Sequence, residues 1–239
     1  MEVKASAHET RNLGVRCADV TLTRHDKEFE LISAKNDFDL ITARLPIAHP
    51  AASKSLSEQG FHRYETQYSL RCSLTPLDND VDEDSSVAEL SYADALRALR
   101  QHGFSIKSDR LALLGTFRPE VLLRRFCFWL GDEVRKGAIF REVQRRGVPV
   151  GFFLGREVSG APYVAFSGAY DDCFNPTAGR SIETHMLKWA TSFSRAIDVT
   201  VSSNNLSALR LHIQFGFNIR EAMEIFLWTN LERDLAINI

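Results

Sequence analysis

Two stretches of this 239-residue chain combine reactive residue types with a backbone able to aim them. The first is Asn175-Pro176-Thr177-Ala178-Gly179-Arg180-Ser181, which follows a strand-like run and opens a helix. The first N–H groups of a helix have no internal partner, and the helix dipole is positive there. A glycine lets a phosphate approach that backbone and Arg180 adds charge, which is the chemistry of a pyrophosphate cradle. Taken by itself, Gly-Arg-Ser at a helix start also fits a plain turn. The second stretch runs from Val201 to Phe217. It reads as a strand, a short helix capped by Asn205, a stop at Gly216 and another strand, with His212 on the helix. Capping and packing account for Asn205 and His212 without any catalytic role.

The elements that would position these stretches follow from periodicity and punctuation. Ser91-Tyr92-Ala93-Asp94 is a capping box for a helix that Gly103 stops. A second helix begins near Pro119 and carries Leu122, Leu123, Phe126, Trp129 and Leu130 at the spacing of a buried stripe. Ala138–Gln144, a turn at Arg145-Arg146-Gly147, and Val148–Gly155 form a hairpin, and a third strand covers Tyr163–Tyr170. A helix over about 179–193 should bury Ile182, Met186, Leu187 and Ala190. A strand at Ile197–Val201, a helix at Leu206–Phe215 and a strand at Phe217–Trp228 complete a mixed α/β arrangement. Pro76 to Ser86 holds five acids and only two aliphatic residues, and reads as a solvated linker.

Composition excludes several function classes. Net charge is −2, from 29 basic and 31 acidic residues, so nothing argues for nucleic-acid or anionic-membrane partners. Cys17, Cys72, Cys127 and Cys173 are far apart and form neither a CxxC pair nor a metal-ligand spacing, and the seven histidines contain no HxxxH. No metal site is expected. No apolar run approaches the roughly 20 residues of a membrane helix, and the first residues lack the apolar core of a signal peptide, so a cytoplasmic location is the expectation.

Asn205-x-x-Ala208-x-x-Leu211-His212-x-x-x-Gly216-Phe217 resembles the NxxAxxLYxxxGF segment of the GNAT-type N-acetyltransferases. The Ala178-Gly179-Arg180-Ser181 helix start lies where that family carries its R/QxxGxG/A acetyl-CoA loop. Asn12-Leu13-Gly14-Val15, Asp109-Arg110-Leu111-Ala112, Trp129-Leu130 and Leu211-His212-Ile213-Gln214 are similar to segments of one branch, the dTDP-fucosamine acetyltransferase type of nucleotide-sugar enzyme. The resemblance implies a GNAT fold, a mixed and mostly antiparallel sheet flanked by helices, with a partial GNAT-like N-terminal half. It implies acetyl-CoA as co-substrate, with contacts from Cys173, Ala178, Gly179, Arg180, Ser181, Ile182 and Asn205. Two departures stand out. Pro176 occupies the first R/Q position and supplies no N–H, and Ser181 replaces the second glycine. The family tyrosine that protonates the leaving thiolate falls on His212. A histidine titrates near neutrality and can act as that acid. The alternatives are a structural histidine, a nearby tyrosine acting instead, or lost activity.

Ile41, Ala52, Gly60, Phe61 and Glu65 recur 156 residues later as Ile197, Ala208, Gly216, Phe217 and Glu221. The first part therefore reads as a truncated copy of the last strand-helix-strand unit. The expected organisation is a partial GNAT-like domain at 1–75, an acidic linker at 76–87 and a GNAT domain at 88–239 that alone binds the cofactor. The expected reaction is direct acetyl transfer from acetyl-CoA to a primary amine, with Glu65 as general base and His212 as acid. The acceptor the resemblance implies is a nucleotide-linked amino sugar serving polysaccharide or glycan synthesis. Tyr64, Tyr68 and Tyr170 would line a sugar pocket or simply pack within strands. Two other readings stay open: a GNAT enzyme for another amine (a protein N-terminus, a lysine, an aminoglycoside or other small-molecule amine) and a non-catalytic acyl-CoA-binding module. A homodimer, frequent in this family, is left open as well.

Overall fold

The structure, a computed structural model, describes residues 1–23, 25–26, 30–74, 84–104, 109–173 and 177–231. The chain begins with β1 (Glu2–Ala5), α1 (Ala7–Leu13), β2 (Cys17–Thr21), α2 (Ile32–Asp37), β3 (Leu40–Pro46), α3 (Pro50–Glu58) and β4 (His62–Ser73). It continues with β5 (Ser85–Leu90), α4 (Tyr92–His102), α5 (Arg110–Leu114), α6 (Pro119–Arg135), β6 (Ile139–Arg145), β7 (Val148–Val158) and β8 (Ala161–Ala169). It closes with α7 (Ala178–Thr191), β9 (Ala196–Ser202), α8 (Leu206–Gln214) and β10 (Asn218–Thr229).

Local chemistry sets these boundaries. The Ser91 hydroxyl accepts from the Asp94 N–H at the start of α4, and the helix ends where Gly103 takes φ 71°. Pro119 opens α6, where its missing N–H costs nothing. α7 buries Ile182, Met186, Leu187 and Ala190, all 4% exposed or less, as its periodicity requires. The α6 stripe differs at one position. Leu122, Phe126 and Leu130 are buried, but Leu123 is 39% exposed, because its place in the turn falls outside the face that meets the sheet. The acidic segment also differs. Residues 75–83 lie outside the described residues, and Ser85, Ser86 and Val87 are not linker but the start of β5, paired to Arg145, Gln144 and Val143 of β6.

The strands form two sheets, ordered β1-β2-β3-β10-β4-β9 and β5-β6-β7-β8. The larger sheet takes strands from both sides of residues 75–83, since β10 lies between β3 and β4. All pairings are antiparallel except β2 with β3.

The 156-residue repeat is built into this larger sheet. Every boundary of β3-α3-β4 recurs 156 residues later in β9-α8-β10. Gln67 of β4 lies opposite Met223 of β10, and these two positions are themselves 156 apart. The register of β3 on β10 (Pro46 opposite Met223) is repeated by β9 on β4 (Ser202 opposite Gln67). The two breaks in the β4–β10 register fall at Tyr64 and Arg220, again 156 apart. The order β3-β10-β4-β9 thus has a pseudo-twofold axis between its two central strands. Gly60 and Gly216 end the paired helices at φ 78° and 85°, a backbone that L side chains adopt only with strain. Phe61 and Phe217 then enter the core, 1% and 2% exposed. Among the described residues, no helix is long and apolar enough to cross a membrane.

Candidate active site

Where the two sheets meet, β8 and β9 run close together without hydrogen bonding to each other. Among the described residues β8 pairs only with β7 and β9 only with β4, so each has one edge with no strand beside it to take its backbone N–H and C=O groups. A cavity of about 620 Å³ lies at this split, lined by Val164–Ser167 of β8 and Val199–Ser202 of β9. Glu65, Arg110, Arg125, Trp129, Asn205 and His212 also line it. The fold therefore brings Glu65 of β4 together with Asn205 and His212, which cap and lie on α8 far along the chain.

His212 sits on α8, 6% exposed, with Nδ1 2.8 Å from Glu183 Oε1 of α7. Glu183 is itself 2% exposed. An ionised carboxylate only accepts, so Nδ1 carries the proton in this pair and Nε2 is the nitrogen left for proton exchange. The ring also packs on Phe217 at 4.9 Å between centroids. The same-offset position in the N-terminal half is Leu56, fully buried, so the copy lacks this group. Glu183 was not among the residues singled out from sequence. It is 29 positions from His212 and stands within an otherwise apolar helix face; that buried carboxylate is the one signal that could have marked it.

Glu65 sits on β4 and is 4% exposed, whereas its repeat partner Glu221 is exposed. Gln67 Nε2 donates to its Oε1 at 2.9 Å, the Ser202 hydroxyl donates to its Oε2, and Arg110 Nη1 lies 3.5 Å from Oε1. A wall of charge continues from there. Arg125, 6% exposed, donates from Nε and Nη2 to Glu9 at 2.6 and 2.5 Å and from Nη1 to Asp109 at 3.2 Å. Burial alone would raise the Glu9 carboxyl, but the hydrogen bonds and charge of Arg125 outweigh it and hold Glu9 below its usual 4.5. Through this pair α1 of the N-terminal half closes one side of the cavity.

The aromatic surface of the cavity is Phe104, Phe126, Trp129 and Phe166. Trp129 and Phe166 meet edge to face at 3.8 Å, and Arg125 lies over Trp129 at 5.8 Å. Tyr64, Tyr68 and Tyr170 do not line it. Tyr64 and Tyr68 pack against core clusters, and Tyr170 is buried with its hydroxyl donating to Glu142 at 3.0 Å. Tyr64 and Tyr68 pack within β4, and Tyr170 packs one residue beyond the end of β8.

The residues read as a phosphate cradle form the first turn of α7, just before Glu183. Ala178, Ser181 and Ile182 are 2–4% exposed and face the core, so only their backbone is available to a ligand. Gly179 has no side chain in the way, and a Cβ there would come 3.2 Å from Leu211 Cδ2. Arg180 is exposed. Pro176 lies outside the described residues. Arg145 of β6 donates to the Thr177 hydroxyl just before α7, and Arg145, Arg146 and Cys173 line a second cavity of about 540 Å³. Free helix N–H groups, a glycine and nearby guanidinium groups suit a polyanion such as the diphosphate of coenzyme A. Asn205 caps α8 by accepting from the Ala208 N–H at 3.1 Å while also lining the main cavity.

Neither a family model nor a curated protein sequence matches the chain. Solved structures do. A GCN5-related N-acetyltransferase from Sphaerobacter thermophilus is similar at 13% identity and TM-score 0.53, over 80% of this chain but only 59% of that one. A tandem GNAT protein from the clavulanic acid biosynthesis pathway is similar at 11% identity and TM-score 0.59, over 90% of this chain and 78% of that one. The glucosamine N-acetyltransferase region of a fungal multi-domain GH3 β-N-acetylglucosaminidase is similar at 9% identity and TM-score 0.62, over 89% of this chain and 30% of that one. Identities this low speak for architecture alone: the chain has the mixed α/β fold of the GCN5-related N-acetyltransferases, in a tandem, GNAT-like arrangement.

Proposed function

We propose that this protein transfers an acetyl group from acetyl-CoA to a primary amine. The carrying observation is the cavity at the β8–β9 split, which places Glu65 and the Glu183-oriented His212 on one site beside the backbone donors of the two open strand edges. Acetyl-CoA would supply the activated acetyl group as a thioester, its diphosphate held by the first turn of α7 and Arg180. Glu65, directly or through one water, takes the proton that the acceptor ammonium must lose before its nitrogen attacks the thioester carbonyl. N–H groups of the β8 edge polarise that carbonyl oxygen. As the carbon–sulfur bond breaks, the proton on His212 Nε2 passes to sulfur, and Glu183 steadies the imidazolium beforehand. Holding both reactants in one cleft supplies much of the rate.

The acceptor we favour is the amine of a nucleotide-linked amino sugar. Support comes from the aromatic surface of Phe104, Phe126, Trp129 and Phe166, whose faces suit a sugar ring, and from the glucosamine-acetylating region among the similar structures. The test is a calorimetric titration with acetyl-CoA, followed by mass analysis of an amino-sugar nucleotide incubated with protein and acetyl-CoA. Micromolar binding that Gly179→Trp abolishes, and a mass gain of one acetyl group, are expected. No binding up to millimolar acetyl-CoA would sink the enzyme reading. Acetylation of other amines but not of the sugar nucleotide would sink the acceptor.

A further inference from the structure

We infer that Arg110 is the recognition point for an anionic group carried by the amine acceptor, an inference that rests on the acetyl-transfer reading above. Arg110 is the first residue of α5, whose N-terminus is fixed by Asp109 accepting from the Leu111 N–H at 2.7 Å. Its side chain is 15% exposed and lines the main cavity. A guanidinium carries five N–H donors in a planar fork. Here its one ionic contact among the described residues is Glu65 Oε1 at 3.5 Å, beyond ordinary hydrogen-bond length, and its buried Nε has no hydrogen-bond partner there.

Gln67 and Ser202 already hydrogen-bond the two oxygens of Glu65, so Arg110 faces it as a counter-charge at 3.5 Å with its N–H donors still open to a ligand. The other charges of the wall are committed elsewhere. Arg125 is paired with Glu9 and Asp109, and Arg44 pairs with Asp19 at 2.9 Å. The cavity thus has two guanidinium groups with hydrogen-bonded carboxylates in place, Arg44 and Arg125, and a third, Arg110, whose buried Nε has no hydrogen-bond partner among the described residues. A buried donor in that state calls for a partner from outside the chain, and Arg110, unlike Arg124 and Arg145, whose Nε atoms are buried in the same way, lines the cavity that holds Glu65. The group that fits a guanidinium fork is a carboxylate or a phosphate, bound through two parallel N–H···O bonds. An acceptor with its amine at Glu65 and its anion at Arg110 satisfies both residues at once. The anion has two sources: the diphosphate of a nucleotide-linked amino sugar, or a carboxylate next to the amine.

The experiment follows coenzyme A release with two acceptor pairs: a nucleoside diphosphate amino sugar against the free amino sugar, and an α-amino acid against its amide. One charged member should exceed its neutral counterpart in kcat/KM by about ten- to a hundredfold, as expected for the loss of hydrogen bonding to a charged group. The pair that discriminates names the source. Arg110→Gln should bring that ratio toward one, and Arg110→Lys should retain part of it, with KM for the charged member rising more than kcat falls. Equal use of both members of each pair by the unmodified protein, or a ratio unchanged in Arg110→Gln, overturns the proposal while leaving acetyl transfer standing. Should no acceptor turn over, calorimetric binding of inorganic phosphate and acetate decides. Anion binding lost in Arg110→Gln keeps the anion site and removes acetyl transfer. Anion binding absent, or the same in Arg110→Gln, removes the site.

Discussion

Replacing Glu183 by glutamine separates a positioned proton donor from a merely buried histidine. The Nδ1–Oε1 distance is 2.8 Å and the two side chains are 7% and 3% exposed, so the hydrogen bond is charge-assisted and shielded from water. Such a bond contributes about 1.5–3 kcal/mol. Glutamine keeps the shape and an accepting oxygen but removes the charge that steadies the imidazolium. If that contribution is expressed when the proton moves to sulfur, then at about 1.36 kcal/mol per decade kcat falls about ten- to a hundredfold. KM for acetyl-CoA should change less than kcat, since the cradle uses the backbone of the first turn of α7 while Glu183 acts through its side chain on His212. The assay is a double-mutant cycle read by coenzyme A release, with thermal melts run alongside. In a His212→Gln background, Glu183→Gln should cost no more than about twofold further, because Glu183 acts through the imidazole. Glu183→Asp should recover part of the loss. A kcat unchanged by Glu183→Gln, or the same fold loss in both backgrounds, refutes the reasoning.

Three more outcomes are expected. Arg125→Met leaves Glu9 and Asp109 without their shared cation and should cost about 3–5 kcal/mol in urea unfolding at neutral pH. Glu9 is held below its usual 4.5 in the folded state. Its contribution is therefore complete above that value and disappears as pH falls through the lowered one, so the gap between wild type and Arg125→Met should narrow as pH falls below 4.5; a constant gap contradicts the pairing. Gly151→Ala would place a methyl 2.4 Å from both the Gly168 carbonyl oxygen and Ile182 Cδ1, and should cost at least about 2 kcal/mol by the same measurement. Asn205→Ala removes the acceptor for the Ala208 N–H and should cost about 1 kcal/mol, with unchanged stability counting against the cap.

Much of the local structure was legible because its causes are local. The Ser91 cap, Pro119 at a helix start, the 145–147 turn and the Gly216 stop are each decided within about four residues of chain, where capping, φ preference and side-chain period act. β5 was hidden because acids dominate up to Asp84, and a strand that reads as polar is stabilised by its pairing with β6, which no local signal reports. Leu123 fits the helical period yet is exposed, since periodicity names a face and not its width.

The sequence by itself determined the strand-helix-strand units, the repeat offset of 156 residues and the residues His212, Glu65 and Asn205 as candidates. Only the tertiary structure decided that β10 enters between β3 and β4, that Glu65 is buried while its copy Glu221 is exposed, and that Glu183 meets His212. It also decided that the cavity wall is Trp129 and Phe166 rather than the three tyrosines, and that Arg110 is left without a hydrogen-bonded partner among the described residues. The reason is physical. Periodicity and capping are relations between neighbours along the chain. Burial, pairing and an unfilled donor are relations across it, and they come into being only when sheet order brings distant segments within a few ångströms.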